Sequence, residues 1–174
     1  MPAKIAKTKT DENACPTTMQ VLLSHSVAET EAIAADLAAG LSAGACLALH
    51  GDLGAGKTQF VRGLVRGLGG EPRSVSSPTF VLLNVYDTGR LPVYHLDAYR
   101  ATGGEYFEAI GFTELLEQGG VVVVEWPSRV ADLLPADRVE VTLEPMGRQS
   151  RRITIDRRGP ARNNEEDDAT QAAK

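Results

Sequence analysis

Three groups of residues in this chain have types and spacings suited to phosphate chemistry. The first is Gly51-Asp52-Leu53-Gly54-Ala55-Gly56-Lys57-Thr58, which fills every fixed place of a phosphate-binding loop. Glycines at 51, 54 and 56 let successive backbone N–H groups curve around phosphate oxygens. Lys57 has the length to reach β and γ phosphates, and the Thr58 hydroxyl can ligate magnesium. The second group is Glu125, which directly follows Val121-Val122-Val123-Val124. An acid ending a buried apolar strand emerges at the carboxyl edge of a sheet. A strand hands over to the phosphate loop at that same edge, so Glu125 can meet a metal beside Thr58 directly or through water. The third group is His95-Leu96-Asp97-Ala98-Tyr99-Arg100. In an extended chain His95, Asp97 and Tyr99 share one face. Three roles stay open for Asp97: positioning an attacking water, supporting a metal ligand from behind, or pairing with Arg100. His95 reads more readily as a satisfied structural histidine than as a catalytic one.

Two further segments carry residues suited to the same chemistry. Ser77-Pro78-Thr79-Phe80 puts hydroxyls on the loop between the first post-loop helix and a strand, where nucleotide switches sense a γ-phosphate; the plain alternative is a strand-entry turn set by Pro78. Trp126-Pro127 follows Glu125, and the sole tryptophan of the chain either walls the site or fills the core.

The elements that must hold these residues follow from periodicity. Met19 to Leu23 predicts a first strand, and Ala28 to Leu41 a helix with Ile33, Leu37 and Leu41 on its core face. Cys46 to His50 is a buried strand leading into the phosphate loop, and Phe60, Val61, Leu64, Val65 and Leu68 recur at helical spacing after it. Gly69-Gly70 ends that helix. Thr79 to Tyr86 predicts a strand by composition, and Leu91 to Tyr99 a second one returning antiparallel after the turn at Asp87-Thr88-Gly89-Arg90. Short helices over Glu105 to Ile110 and Phe112 to Glu117 split at Gly111. The Val121 to Val124 strand and a hairpin of Val139 to Leu143 with Arg152 to Asp156 complete the core. The predicted class is α/β, a mixed sheet with a parallel core flanked by antiparallel strands and helices.

Composition narrows the function. The 174 residues with 43% hydrophobic content suit one domain, expected over 20–158, with tails at 1–19 and 159–174, the latter holding Glu165-Glu166-Asp167-Asp168. Neither tail resembles a secretory signal and no apolar run approaches the ~20 residues needed to span a bilayer, so no membrane association and a cytoplasmic location are expected. Cys15 and Cys46 suit a reduced, structural use better than a disulfide or metal site. A net charge of −5 argues against holding nucleic acid by bulk electrostatics. Locally, Arg148, Arg151, Arg152, Arg157, Arg158 and Arg162 face the single acid Asp156; solvated strand arginines are the simpler account of most of them.

Taken in order, the phosphate loop, Ser77-Pro78-Thr79-Phe80, His95-Leu96-Asp97-Ala98-Tyr99-Arg100, Glu105, Gly111-Phe112 and Val124-Glu125-Trp126-Pro127 closely resemble the TsaE (YjeE) family, over about Met19 to Asp156. That family comprises bacterial ATPases required for threonylcarbamoyladenosine (t6A) formation at position 37 of tRNA. The resemblance implies a phosphate-loop nucleoside triphosphatase fold, with ATP on Leu53, Gly54, Ala55, Gly56, Lys57 and Thr58. It also implies Mg2+ on Thr58 and Glu125, a hydrolytic role for Asp97 beside Lys57, and approach of Gly147-Arg148, His25 and Val27 to the nucleotide. TsaD and TsaB are the implied partners, with tRNA met only through their complex. Two rivals remain. A small-molecule kinase would use Arg148, Arg151 and Arg152 over phosphates but wants an acceptor-binding insertion that the chain does not display. A guanine-nucleotide switch finds only a decoy, Thr8-Lys9-Thr10-Asp11, ahead of the loop rather than after it.

Overall fold

Apolar runs with no polar alternation become the centre of the sheet, because such strands are covered on both faces. The computed structural model describes residues 18–100 and 104–158. Its strands are β1 (Thr18–Ser24), β2 (Cys46–His50), β3 (Leu83–Tyr86), β4 (Val93–Asp97), β5 (Val121–Glu125), β6 (Val139–Pro145) and β7 (Arg151–Arg157). They form one seven-stranded sheet in the order β1-β7-β6-β2-β5-β4-β3. The β2–β5, β2–β6 and β4–β5 pairs are parallel, whereas β3–β4, β6–β7 and β1–β7 are antiparallel. The parallel core with antiparallel flanks is the architecture expected from the sequence.

Among the described residues four α-helices accompany the sheet: α1 (Val27–Ala39), α2 (Lys57–Gly67), α3 (Gly104–Ala109) and α4 (Phe112–Glu117). Ser26 caps α1 by accepting the Glu29 N–H at 3.1 Å. The buried face of α1 is Thr30, Ala34, Leu37 and Ala38; Leu41 is buried beyond its end, while Ile33 is only half-buried. The small residues on that face have a cause. A Cβ on Gly63 of α2 would lie 2.2 Å from the Glu31 carbonyl oxygen, and one on Gly67 would lie 2.6 Å from the Ala35 Cα. Backbones of α1 and α2 therefore touch, and both helices cover one face of the sheet over Leu47, Leu49, Val121, Val123, Val141 and Ile153.

The opposite face is divided. Phe107 of α3 with Phe112 and Leu115 of α4 pack on Cys46, Ala48, Leu96, Val122 and Val124. Over β6, β7 and β1 no helix lies on that face among the described residues. Glu140, Thr142, Glu144, Arg152, Thr154 and Asp156 alternate there with the buried positions, beside exposed Met19, Val21 and Leu23. The burial of Cys46 pushes its thiol pKa up to about 12.

Three expectations need correction or placing. Thr79 to Leu82 is not strand. Val81 and Leu82 N–H groups both bond the Pro78 carbonyl, so the segment turns, leaving Phe80 and Val81 exposed, and β3 begins only at Leu83. The returning strand is likewise shorter than Leu91 to Tyr99. Of the expected tails, only Thr18 and Met19 fall within the described residues, and both belong to β1; Cys15, the Thr8-Lys9-Thr10-Asp11 decoy, Arg162 and the acidic run lie outside them.

Candidate nucleotide site

The carboxyl ends of β2, β4 and β5 meet at one edge, and the side chains singled out in the sequence converge there. The chain leaves β2 through Gly51 (φ 145°), Gly54 (φ 79°) and Gly56 (φ 108°), all in conformations that disfavour side chains. At Gly51 a Cβ would also stand 2.8 Å from the Leu143 carbonyl oxygen, so both φ and space require glycine. Gly56 then caps α2, whose first residues are Lys57 and Thr58. The unpaired N–H groups of that helix start face the loop concavity, an arrangement that attracts anions.

Lys57 is buried. Its ammonium donates to the Gly51 carbonyl at 2.7 Å and the Asp52 carbonyl at 3.1 Å, stands 3.9 Å from Glu125 Oε2, and lies 4.3 Å from the centroid of the Trp126 ring. Burial lowers its pKa, opposed by the charges of Glu125, Asp97 and Asp52. Trp126 takes φ 58°, a conformation uncommon outside glycine, and thereby turns its ring back over Lys57 and against Tyr99, 5.1 Å between centroids. It walls the site.

Asp97 and Glu125 are register partners at the ends of β4 and β5, and both are buried. Asp97 Oδ2 accepts from the Thr79 hydroxyl at 2.5 Å, and Oδ1 accepts from the Tyr99 N–H at 2.8 Å. The alternative pairing with Arg100 does not occur: Arg100 stacks on exposed Phe80, 4.6 Å from its centroid. Glu125 Oε1 accepts from His95 Nε2 at 2.8 Å. His95 is thus satisfied and fully buried, as a structural histidine would be, yet its partner is the carboxylate read as a metal ligand.

The residues around magnesium chemistry fit a hard cation that keeps several water or phosphate oxygens. Thr58 at the start of α2 and the two carboxylates at the sheet edge offer oxygen donors. Among the described residues no group of three or more His, Cys, Asp and Glu side chains forms an all-protein cage, and magnesium at phosphate sites does not need one.

Beside the loop opens a cleft of about 370 Å³ lined by Val27, Gly56, Gln59, Arg148, Gln149 and Arg151, among others. It brings Val27 and Arg148 to the phosphate loop. His25 stands at the same corner, its Nδ1 3.4 Å from Ser150 Oγ, but is not among the residues lining the cleft. Arg151, weighed from the sequence as a cluster arginine or a kinase-type phosphate contact, instead donates from Nε to the Ala55 carbonyl at 2.8 Å, tying the hairpin to the phosphate loop. The neighbouring arginines behave as surface residues, with Arg152 3.6 Å from Glu144 and Arg158 3.6 Å from Glu140 and from Asp156.

A family model described as "Threonylcarbamoyl adenosine biosynthesis protein TsaE" matches residues 24–153. The chain belongs to the TsaE family. A Bacillus subtilis (strain 168) relative named tRNA threonylcarbamoyladenosine biosynthesis protein TsaE is 42% identical over 127 residues, 73% of this chain and 78% of the relative. A Treponema pallidum relative of the same name is 45% identical over 115 residues, covering 66% and 84%. The crystal structure of B. subtilis YdiB is similar with a TM-score of 0.67 and 33% identity, over 84% of this chain and 90% of that one. In this TsaE-family chain the matched segment contains the whole edge just described, from His25 through Glu125 to Arg151.

Proposed function

We propose that the chain is an ATP-binding and ATP-hydrolysing subunit for t6A modification of tRNA at adenosine 37, acting with TsaD and TsaB to reset their complex between turnovers. The observation that carries the hydrolytic part is the register pairing of Asp97 with Glu125, the latter 3.9 Å from the Lys57 ammonium. The t6A role rests on membership in the TsaE family and on the names of its relatives. The working domain is residues 20–158.

In this reading the loop residues Leu53, Gly54, Ala55, Gly56, Lys57 and Thr58 bind the triphosphate through backbone N–H groups and the Lys57 ammonium, while Val27 and Arg148 border the rest of the nucleotide and His25 stands nearby. Thr58 and Glu125 hold Mg2+, which supplies neutralisation of phosphate charge. Asp97 orients the attacking water and accepts its proton. Its fixed hydrogen bonds to Thr79 and Tyr99 set the carboxylate direction, which favours this role over an idle surface acid. Lys57 leaves its two loop carbonyls for phosphate oxygens, a stronger charge-assisted pairing. Contact with tRNA is indirect.

Hydrolysis measured with and without TsaD and TsaB tests the proposal. The rate should rise in their presence; equal rates would remove the coupling, and absence of any calorimetric response to Mg-ATP, with partners supplied, would remove the ATPase assignment itself.

A further inference from the structure

A buried carboxylate needs donors to fix it, and among the described residues the side chain hydrogen-bonded to Glu125 is His95. Carboxylates accept only, so Nε2 carries the proton in that bond, and in a neutral ring Nδ1 is left as an acceptor. The hydroxyl of Tyr86 faces Nδ1 at 3.4 Å, with the two rings tilted at 45° and 6.1 Å apart. That same hydroxyl accepts the Ser76 N–H at 3.3 Å, and its single proton is directed either to the Ser76 carbonyl, at 3.0 Å, or to Nδ1. Asn84, beside Tyr86 on β3, adds a bond from its amide to the Ser76 carbonyl at 3.2 Å. Ser76 opens the turn that carries Ser77 and Thr79, and Thr79 reaches Asp97. Polar contacts therefore run from the Glu125 carboxylate, through His95 and Tyr86, to the root of the turn that holds the second carboxylate.

We propose that His95 is a positioning residue that aims the Glu125 carboxylate at the metal, and that Tyr86 fixes the His95 ring against the base of the 76–82 turn. This deepens the ATPase reading and rests on it. A histidine retained only to fill the core would have no reason to bridge these two elements. A ring hydrogen-bonded to Glu125 at Nε2 and abutted by the Tyr86 hydroxyl at Nδ1 resists rotation, and partners that orient a ligand in this way govern metal affinity by about 10–100-fold.

The test is titration calorimetry of ADP binding across a Mg2+ series, with a chelator-treated arm, on the full chain and on His95→Gln, His95→Ala and Tyr86→Phe. Melting curves run alongside. In His95→Ala the Mg2+ midpoint should rise about tenfold or more, with metal-free ADP affinity unchanged. His95→Gln, which keeps a donor, should recover part of the shift, and Tyr86→Phe should show a smaller rise of the same sign. A shared midpoint in the folded variants overturns the proposal. If His95→Ala does not fold, His95→Gln and Tyr86→Phe decide by the same criterion. No Mg2+ response in the unsubstituted chain would instead sink the underlying metal-nucleotide reading, and this proposal with it.

Discussion

The two walls of the candidate nucleotide site are made of different things. The wall at 51–58 is backbone: glycine conformations, a helix start and carbonyls that receive Lys57. The wall formed by 76–82, Asp97, Glu125 and Trp126 is a side-chain network spread over the ends of two strands and a turn. Leu82, at φ 69°, and Trp126, at φ 58°, are the non-glycine positive-φ residues of the described chain, and both belong to this second wall. Such conformations cost about 1–3 kcal/mol each and persist where the surroundings hold them. The first wall is thus defined by main chain and the second by side chains held in uncommon conformations, a contrast that suits the partner-coupled turnover proposed above.

Substitutions can break that contrast. Lys57→Ala, on the binding wall, should lower kcat/KM for ATP by about 1,000-fold, since it removes charge from both bound substrate and transition state; a loss confined to kcat would contradict the assignment. Asp97→Asn, on the other wall, should keep nucleotide affinity while lowering kcat by about 100-fold or more, as removal of a general base does. If affinity falls instead, the walls are not separable. Thr79→Val removes a hydrogen bond to a buried carboxylate, worth about 1.5–3 kcal/mol for a charged acceptor. A kcat decrease of about tenfold, with little change in KM, is expected from steady-state kinetics. Arg151→Ala loosens the phosphate loop from outside and should raise the KM for ATP about fivefold, in line with one hydrogen bond of about 1 kcal/mol; an effect on kcat alone would show that Arg151 serves the other wall.

The same contrast explains what could be read in the sequence. Gly51 to Thr58 was legible because all its determinants are local: glycine where φ is positive, a strand before, a helix after. Glu125 was legible from the four valines ahead of it. The turn at 79–82 was not, since Thr79-Phe80-Val81-Leu82-Leu83 has strand composition and only the Pro78 carbonyl, with its two N–H partners, turns it. Arg151 and Ala55 stand 96 residues apart, and no spacing rule links them. Asp97 was singled out with three roles open; the Thr79 hydroxyl and the stacking of Arg100 on Phe80 removed one of them, the ion pair. For α1, Ile33, expected on the core face, is half-buried against the core, and contact with Gly63 and Gly67 brings the small residues Thr30, Ala34 and Ala38 further inward beside it.

That backbone contact between α1 and α2 has a consequence for the cleft. Val27 lies at the start of one helix and Gly56 at the start of the other, so the gap between them is set where Glu31 and Ala35 meet glycines with no side chain interposed. Substitutions elsewhere on either helix can change charge or stickiness along the rim, yet the spacing of its two sides behaves as a fixed dimension of the main chain, preserved under sequence drift as long as positions 63 and 67 stay bare.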